Sequence, residues 1–156
     1  MTEYRWAKGM FLDRAKRAVQ HIPVNVTSVL DIGCGHQDLR GLLAPNVKYV
    51  GVDKVGLVPS TIICDVDAGV IPFTEPFDLT VCLGLFEYLP DPLVVLQQIK
   101  KISPLLLVSF APVYSQTPRD IEAFGDLLTQ AGWVGRTVDV LDDPQFIFLC
   151  RRQEGV

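Results

Sequence analysis

Short apolar runs alternate with amphipathic stretches along most of the chain. Runs of this length and composition are typical of strands that are buried on both faces of a parallel sheet. Five such strands are predicted, at 28–32, 47–52, 61–64, 77–83 and 105–109. Two further strands are predicted at about 136–141 and 145–150. Because only Asp142, Asp143 and Pro144 separate these two, we expect them to pair as an antiparallel hairpin.

Helices are predicted before the first strand and between several of the others. The first covers 3–20, and a short one is expected at about 37–43. The next covers 92–101, where Asp91 supplies a cap and Pro92 suits the first helical position. The last follows Thr117 and Pro118, which repeat the cap-then-proline device, and Gly132 ends it.

The order of these elements predicts an α/β fold with a doubly wound, mostly parallel sheet of seven strands and a C-terminal antiparallel hairpin. The connections after strands two and three, 53–60 and 65–76, are too short or too rich in proline and glycine for full crossover helices. We therefore expect reduced helices there. A single domain over 1–156 follows, with an N-terminal helix (1–23), a cofactor-binding half (28–110) and a C-terminal helix and hairpin (117–151).

Composition narrows the class of protein. The chain has 156 residues, 49% of them hydrophobic, and a net charge of −4, which does not suit a nucleic-acid binder. No apolar run approaches the ~20 residues of a membrane span, and the N-terminus lacks the pattern of a signal segment. A cytoplasmic protein is the expectation. Its four cysteines lack the spacing of a metal site, so we expect buried thiols and no metal.

Acidic residues and glycines follow the first three predicted strands. Asp31, Gly33 and Gly35 lie at the first, Asp53 ends the second, and Asp65 ends the third. Because ligands of doubly wound sheets bind beyond the carboxyl ends of the strands, we expect these residues to share one site. The glycines allow a sharp turn and a close approach of backbone to a ligand, although many strand–helix turns use glycine for geometry alone.

The charges at this turn favour one cofactor over another. A dinucleotide fingerprint would need glycine at position 38, where Asp38 stands instead. Asp31 and Asp38 would place negative charge beside a pyrophosphate, so NAD is the less favoured cofactor. S-adenosylmethionine carries an ammonium and a sulfonium and no phosphate, and it fits.

Asp53 and Asp65 can also be interpreted as contacts to parts of this cofactor. A carboxylate at Asp53 can accept both hydroxyls of a ribose, the alternative being a solvated acid that begins a turn. A carboxylate at Asp65 can accept from an adenine amino group while the backbone at Val66 meets the ring edge. The alternative for this pair is an ordinary polar loop.

With these residues in view, the chain resembles the class I S-adenosylmethionine-dependent methyltransferases over most of its length. The resemblance rests on six motifs in order: VLDIGCG at 29–35, YVGVDK at 49–54, CDVDAG with IPF at 64–73, FDLTVCLGLFEYLPDP at 77–92, LLLVSF at 105–110 and QAGW at 130–133. The fourth is similar to the type 11 subgroup. A weaker similarity links the third and fifth to the small W-type proteins of methionine biosynthesis.

The resemblance implies a Rossmann-like fold, S-adenosyl-L-methionine as cofactor and S-adenosyl-L-homocysteine as product. It also implies roles for the matching positions. Asp31 would hold the methionine ammonium, and the backbone of Gly33, Cys34 and Gly35 would line the methionine side. The remaining cofactor-binding positions would be Asp53 at the ribose with Lys54 next to it in the sequence, Asp65 and Val66 at the adenine, and Leu83 facing the methyl donor.

The chain also departs from the pattern. Gln37 stands where the family usually has glycine, and Tyr88 replaces the usual histidine. No general base is evident, and His36, Tyr88 and Tyr114 are only candidates. For these three, surface or packing roles are the alternative. Glu87 is expected to orient its loop, and Arg119 either meets an acidic acceptor or is solvated.

Two functions follow. The first is a methyltransferase that acts on an unidentified small-molecule acceptor. The second is an S-adenosylmethionine-binding module that is non-catalytic or depends on a partner. The reduced helices favour the second, because they would leave one face of strands two and three bare for a homodimer or another protein to cover.

Overall fold

The computed structural model describes residues 8–115, 118–142 and 144–154. It contains one sheet of seven strands in the order β3-β2-β1-β4-β5-β7-β6. The strands from β3 to β5 run parallel, and β7 pairs antiparallel with both β5 and β6. Their bounds are β1 Ser28–Ile32, β2 Lys48–Asp53, β3 Ile62–Ile63, β4 Leu79–Cys82, β5 Leu105–Phe110, β6 Trp133–Val140 and β7 Phe146–Arg152. The predicted fold class is confirmed.

Helices cover the two faces of the sheet unequally. The first, α1 (Lys8–Val19), lies on one face, where Ala18 packs among apolar side chains of β1, β4 and β5. The predicted start of this helix at 3–7 lies outside the described residues. The opposite face carries α2 (Pro92–Ile102) and α3 (Ile121–Gln130). The carboxyl half of the chain therefore supplies the larger core.

Aromatic side chains form the centre of that core. Phe124 of α3 is fully buried, and its ring stacks on Phe110 of β5 with centroids 4.2 Å apart. The indole of Trp133, also buried, donates to the carbonyl of Leu96 in α2 over 3.1 Å. Full burial of such rings, with the indole N–H satisfied, accounts for the packing of both helices onto the sheet.

The helix caps agree with the sequence only in part. Asp91 accepts from the backbone N–H of Val94 at 3.4 Å ahead of Pro92, as predicted. The cap of α3 is Asp120, which accepts from the N–H of Ala123 at 2.7 Å, so the prediction of a start at Pro118 was wrong. Thr117 lies outside the described residues. An aspartate three residues ahead of a backbone N–H satisfies the same orphan donor.

Several short elements differ from their predicted extents. The helix predicted at 37–43 is only a 3₁₀ turn, Arg40–Leu42, and β3 has two residues instead of four. The connections between β2, β3 and β4 contain no α-helix, only the 3₁₀ turn Val66–Ala68, which confirms the predicted reduction of helices. β6 begins at Trp133, three residues earlier than expected. Its added residues pair with the end of β7.

The bare surface lies at the edge of the sheet. Val52 of β2 is fully buried, whereas Ile62 and Ile63 of β3 are 41% and 62% exposed. The expectation that strand two has a bare face is therefore wrong for its carboxyl half, because loop segments cover it.

In the described ranges of the chain, no helix is long and apolar enough to cross a membrane.

Candidate functional site

A cavity of about 390 Å³ opens at the carboxyl ends of β1, β2 and β4. This volume falls within the range of small-molecule sites, which is about 300–1,000 Å³. The glycine turn forms its floor, and side chains from α1 close it from above. Nearly all the predicted site residues line it: Asp31, Gly33, Cys34, Gly35, Asp53, Lys54, Val66, Leu83, His36, Tyr88 and Tyr114.

The floor is built by the turn that follows β1. Gly33 and Gly35 have φ of 77° and 51°, the left-handed region that glycine enters at little cost. The N–H groups of Gly33 and Cys34 both donate to the carbonyl of Val52, over 2.8 and 3.1 Å. The turn is thereby tied to the end of β2, which brings the backbone of 33–35 into the cavity wall.

Asp53 is held by backbone donors on both of its oxygens. Its Oδ2 accepts from the N–H of Gly35 at 2.8 Å, and its Oδ1 accepts from the N–H of Lys54 at 2.7 Å. A carboxylate has about four lone-pair sites, so these bonds orient it and leave acceptor capacity toward the cavity. The structure thus joins the first and second predicted motifs through one carboxylate.

Asp31 is a buried acid with one strong partner. Its side chain is nearly inaccessible, and the phenol of Tyr49 donates to its Oδ2 over 2.6 Å. Burial raises the pKa of Asp31 to about 7, although the Tyr49 hydrogen bond and the charge of Arg14 oppose the rise. A group that brings positive charge to Asp31 would therefore be bound most strongly by the ionised form.

Arg14 is a site residue that the sequence did not indicate. Its guanidinium donates from Nη2 to the carbonyl of Leu83 at 3.3 Å and from Nη1 to Gln145 Oε1 at 3.1 Å. Gly84 beside it has a φ of 70°, a left-handed conformation that favours glycine, and a Cβ there would lie 2.5 Å from Nη1. An arginine in an amphipathic helix carries no signal of its own, and only the packing of α1 over β4 places it in the cavity.

The far end of the cavity differs from expectation at one residue. Val66 lies in the wall, whereas Asp65 is exposed and is absent from the lining. The Oδ1 of Asp65 instead accepts from the N–H of Asp67 at 3.0 Å and caps the turn Val66–Ala68. Asp67 does line the cavity, where its carboxylate pairs with Lys54 Nζ at 2.6 Å.

The candidate catalytic residues lie in the cavity wall. His36, Tyr88 and Tyr114 all line it. Glu87 is buried and its Oε1 accepts from the N–H of Ala111 at 2.7 Å, which agrees with a loop-orienting role. Arg119 is exposed and does not belong to the lining.

The thiol of Cys34 forms part of the cavity wall. Burial raises the pKa of Cys34 to about 12, so the thiol stays protonated at neutral pH. Its Sγ lies 3.8 Å from the hydroxyl of Thr61. A protonated, buried thiol contributes apolar surface to the cavity and is not a nucleophile.

Sequence comparison now identifies the family. The family described as "Methyltransferase domain" matches residues 5–135, which is most of the chain. The chain belongs to this methyltransferase domain family. The membership confirms the predicted class I S-adenosylmethionine-dependent methyltransferase and its cofactor, and it does not single out the type 11 subgroup. No curated protein matches the sequence.

Solved structures share the methyltransferase fold at low sequence identity. The complex between the Trm112 methyltransferase activator and a methyltransferase of Haloferax volcanii matches with a TM-score of 0.75 and 17% identity, over 96% of this chain and 93% of that one. The magnesium protoporphyrin IX methyltransferase of Synechocystis PCC 6803, solved with bound SAM, matches with a TM-score of 0.67 and 17% identity, over 97% and 82%.

Another similar structure is much longer. The mitomycin 7-O-methyltransferase MmcR matches with a TM-score of 0.72 and 18% identity over 92% of this chain, which spans 54% of that protein. The chain therefore corresponds to about half of the length of MmcR.

Proposed function

We propose that this chain transfers a methyl group from S-adenosylmethionine to a small-molecule acceptor within the cavity described above. The observation that carries the proposal is the convergence of the glycine turn, Asp31 and Asp53 on one cavity at the carboxyl ends of β1 and β2. The cofactor supplies a methyl group on a positively charged sulfur. The thioether that leaves is neutral, so its departure requires little further assistance. The residues of the chain therefore act by binding the cofactor and the acceptor and aligning them.

The ribose end of the site is formed by Asp53. Its carboxylate is oriented by the N–H groups of Gly35, Lys54 and Val55, and its remaining acceptor capacity suits a ribose hydroxyl. Val66 supports the adenine end as an apolar wall. Asp65 is exposed and lies outside the cavity lining, where it caps the turn Val66–Ala68, so we assign the adenine contact to the backbone near Val66.

The methionine end combines opposite charges. Asp31 and Arg14 face the same part of the cavity, and the charge of Arg14 lowers the pKa of Asp31. An acid beside a guanidinium is the complement of an amino-acid zwitterion, with the ammonium toward Asp31 and the carboxylate toward Arg14. Leu83 lies next to this pair at the end of the β4 motif, where the methyl group would be presented.

The cavity has the scale of a small-molecule site, with a volume of about 390 Å³, which supports a small acceptor at its open side. Tyr88 and Tyr114 offer aromatic surface and hydroxyls to it, and His36 offers a ring nitrogen. A base is needed only where the acceptor keeps its proton at working pH.

Calorimetry tests the cofactor before any acceptor is known. We expect S-adenosylhomocysteine to bind the purified chain and NAD not to bind. Asp142→Asn, a change at an exposed acid that does not line the cavity, is a control that should leave binding unchanged. Binding of NAD without S-adenosylhomocysteine would overturn the proposal. Turnover of labelled S-adenosylmethionine against a metabolite panel then identifies the acceptor.

A specific observation favours a second function, in which activity depends on a partner. Ile62 and Ile63 are exposed on β3, which ends the sheet and has an open outer edge among the described residues. Such an edge can accept an added strand from a second copy or another protein. The Haloferax methyltransferase that shares the fold forms a complex with an activator, which supports this function.

Sedimentation with a matched pair of variants separates the two functions. Ile63→Asp changes the β3 edge, and Val134→Asp makes the same change on β6, at the opposite edge, where the side chain is 44% exposed. If a homodimer forms through β3, Ile63→Asp should dissociate it and Val134→Asp should not. An isolated monomer that turns over acceptor at an ordinary enzyme rate would contradict partner dependence.

A further inference from the structure

Gln37 occupies an unusual backbone position. Its φ is 60°, which makes it the one residue other than glycine with a positive φ in the described part of the chain. Glutamine enters this left-handed region at a cost of roughly 1 kcal/mol, whereas glycine enters it freely. Such strain persists where surrounding contacts hold the residue in place.

Those contacts run from the glycine turn to the connection between β2 and β3. The Nε2 of Gln37 donates to Thr61 Oγ1 over 3.1 Å. Its Oε1 accepts from Ser60 Oγ at 3.2 Å and from Arg40 Nη1 at 3.3 Å. Arg40 also donates to Ser60 Oγ at 3.1 Å, which closes the group. The Gln37 amide is buried and all of its heavy atoms have partners.

A glycine in β2 leaves space for the side-chain amide of Gln37. Gly51 lies in β2 beneath it, and a Cβ there would come within 2.8 Å of Gln37 Nε2. In this part of the sheet, the structure has a 3₁₀ turn at Arg40–Leu42 and no helix between β2 and β3. The Gln37 amide therefore fills the space over β2 that a longer side chain at position 51 would otherwise take.

The connection so held forms part of the cavity. Lys54, Val55 and Leu57 line it, and Ser60 and Thr61 end the same segment. We propose that Gln37 is a positioning residue, whose amide fixes the β2–β3 connection in place of a crossover helix and so shapes the ribose and adenine side of the cofactor site. This inference rests on the proposed function for the identity of the ligand. The contacts of the Gln37 side chain do not depend on that function.

The first test is Gln37→Gly, which removes the amide and relieves the backbone. We expect affinity for S-adenosylhomocysteine to fall about fivefold or more, the scale of one or two lost hydrogen bonds. Amide hydrogen exchange at 54–61 should accelerate, while the melting temperature stays equal or rises. A merely structural glutamine would lower the melting temperature along with the affinity. Unchanged affinity and exchange would overturn the proposal.

The second test removes the other partner. Thr61→Val should also weaken binding, and the double variant should be no worse than Gln37→Gly alone, because that change already removes the Thr61 contact. Thr129→Val is the matched control, since its hydroxyl bonds to the Gly125 carbonyl within α3 and away from the cavity. Gln37→Glu keeps an acceptor for Ser60 and Arg40 and can accept from the Thr61 hydroxyl, so it should restore affinity. Additive losses from Gln37→Gly and Thr61→Val would contradict the proposal.

The exchange measurement also separates this inference from the proposed function. If the unmodified chain fails to bind S-adenosylhomocysteine, the proposed function fails. Amide exchange at 54–61 in the ligand-free Gln37→Gly protein still tests whether Gln37 fixes the β2–β3 connection. Faster exchange there would support this positioning role, and unchanged exchange would refute it.

Discussion

The two halves of the sheet are stabilised in different ways. Around β4, β5 and β7, the helices α2 and α3 bury large side chains such as Phe124 and Trp133 almost completely. Around β2 and β3, short turns replace helices, and polar contacts such as those of Asp53 and Gln37 hold the chain. Burial gives the first half its stability, and the second half keeps its polar groups and backbone available to a ligand. The candidate site lies at the carboxyl ends of β1, β2 and β4, where the two halves meet.

The largest expected effect tests the well-packed half. Phe124→Ala removes a fully buried ring that contacts Phe86, Phe110 and Phe148, and it should lower the free energy of unfolding by about 3–5 kcal/mol. Chemical denaturation measures this loss. Ile63→Ala, at an exposed apolar residue of the other half, should change it by less than about 0.5 kcal/mol. Equal losses would remove the contrast between the halves.

The next effect concerns the ligand side. Asp53→Ala should weaken cofactor binding by about 1–3 kcal/mol, because it removes charge-assisted hydrogen bonds to the ribose. Calorimetry with S-adenosylhomocysteine measures the change. Asp53→Asn keeps one acceptor oxygen and should lose less. An unchanged dissociation constant in Asp53→Ala would take this residue out of the site.

A pH effect follows from the buried acid of the same half. The pKa of Asp31 is about 7, raised by burial, and only its ionised form attracts the cofactor's ammonium. Affinity should therefore increase as the pH rises through 7, by up to about twentyfold between roughly pH 5.5 and 7.5. Asp31→Asn should bind weakly and with a flat pH profile over this range. Equal pH dependence in the two proteins would show that another group titrates.

The smallest effect lies at the contact between α1 and the hairpin. Asp139 of β6 accepts from Arg17 Nε at 2.9 Å and lies 3.2 Å from His21 Nε2. The Arg17 hydrogen bond, chief among its interactions, lowers the pKa of Asp139 to about 2. Because Arg17 is 45% exposed, Asp139→Asn should cost about 1 kcal/mol or less.

The sign of its pH dependence is set by the lowered pKa. Asp139 contributes to the free energy of unfolding above about pH 4, where its carboxyl is ionised in the unfolded chain as well. This contribution is lost as the pH falls toward 2. Denaturation of Asp139→Asn and of the unmodified chain should therefore differ at pH 7 and converge at low pH. Asp126→Asn, a change at an exposed acid of α3 outside this contact, is the control. A difference that persists at about pH 2 would contradict a charge-based contact.

Local signals were sufficient to predict most of the fold. Pro92 with Asp91 marked the start of α2, and the three residues 142–144 required an antiparallel hairpin. They failed where two choices were locally equivalent. Thr117 and Asp120 are both good caps, and the apolar runs at 61–64 and 77–83 do not show how many of their residues pair. Pairing length depends on the neighbouring strand, which a local pattern does not contain.

The candidate site divides in the same way. Asp31, Gly33, Gly35 and Asp53 were predictable because strand ends and the glycine turn are visible along the chain, and the parallel sheet brings such ends together. Tyr49 and Arg14 were not predicted, because a tyrosine in a strand and an arginine in a helix serve many purposes. Asp65 was expected to face the ligand, yet its nearest donor is the N–H of Asp67, two residues away.

By itself, the sequence determined the order of strands and helices, the glycine turn and the family, since each depends on neighbours along the chain or on matching motifs. Only the tertiary structure decided which side chains face the cavity. It brought Arg14 over the end of β4, buried Asp31 against Tyr49 and turned Gln37 toward Thr61. Burial and long-range contacts set these directions, because they arise from the packing of segments that are distant in sequence.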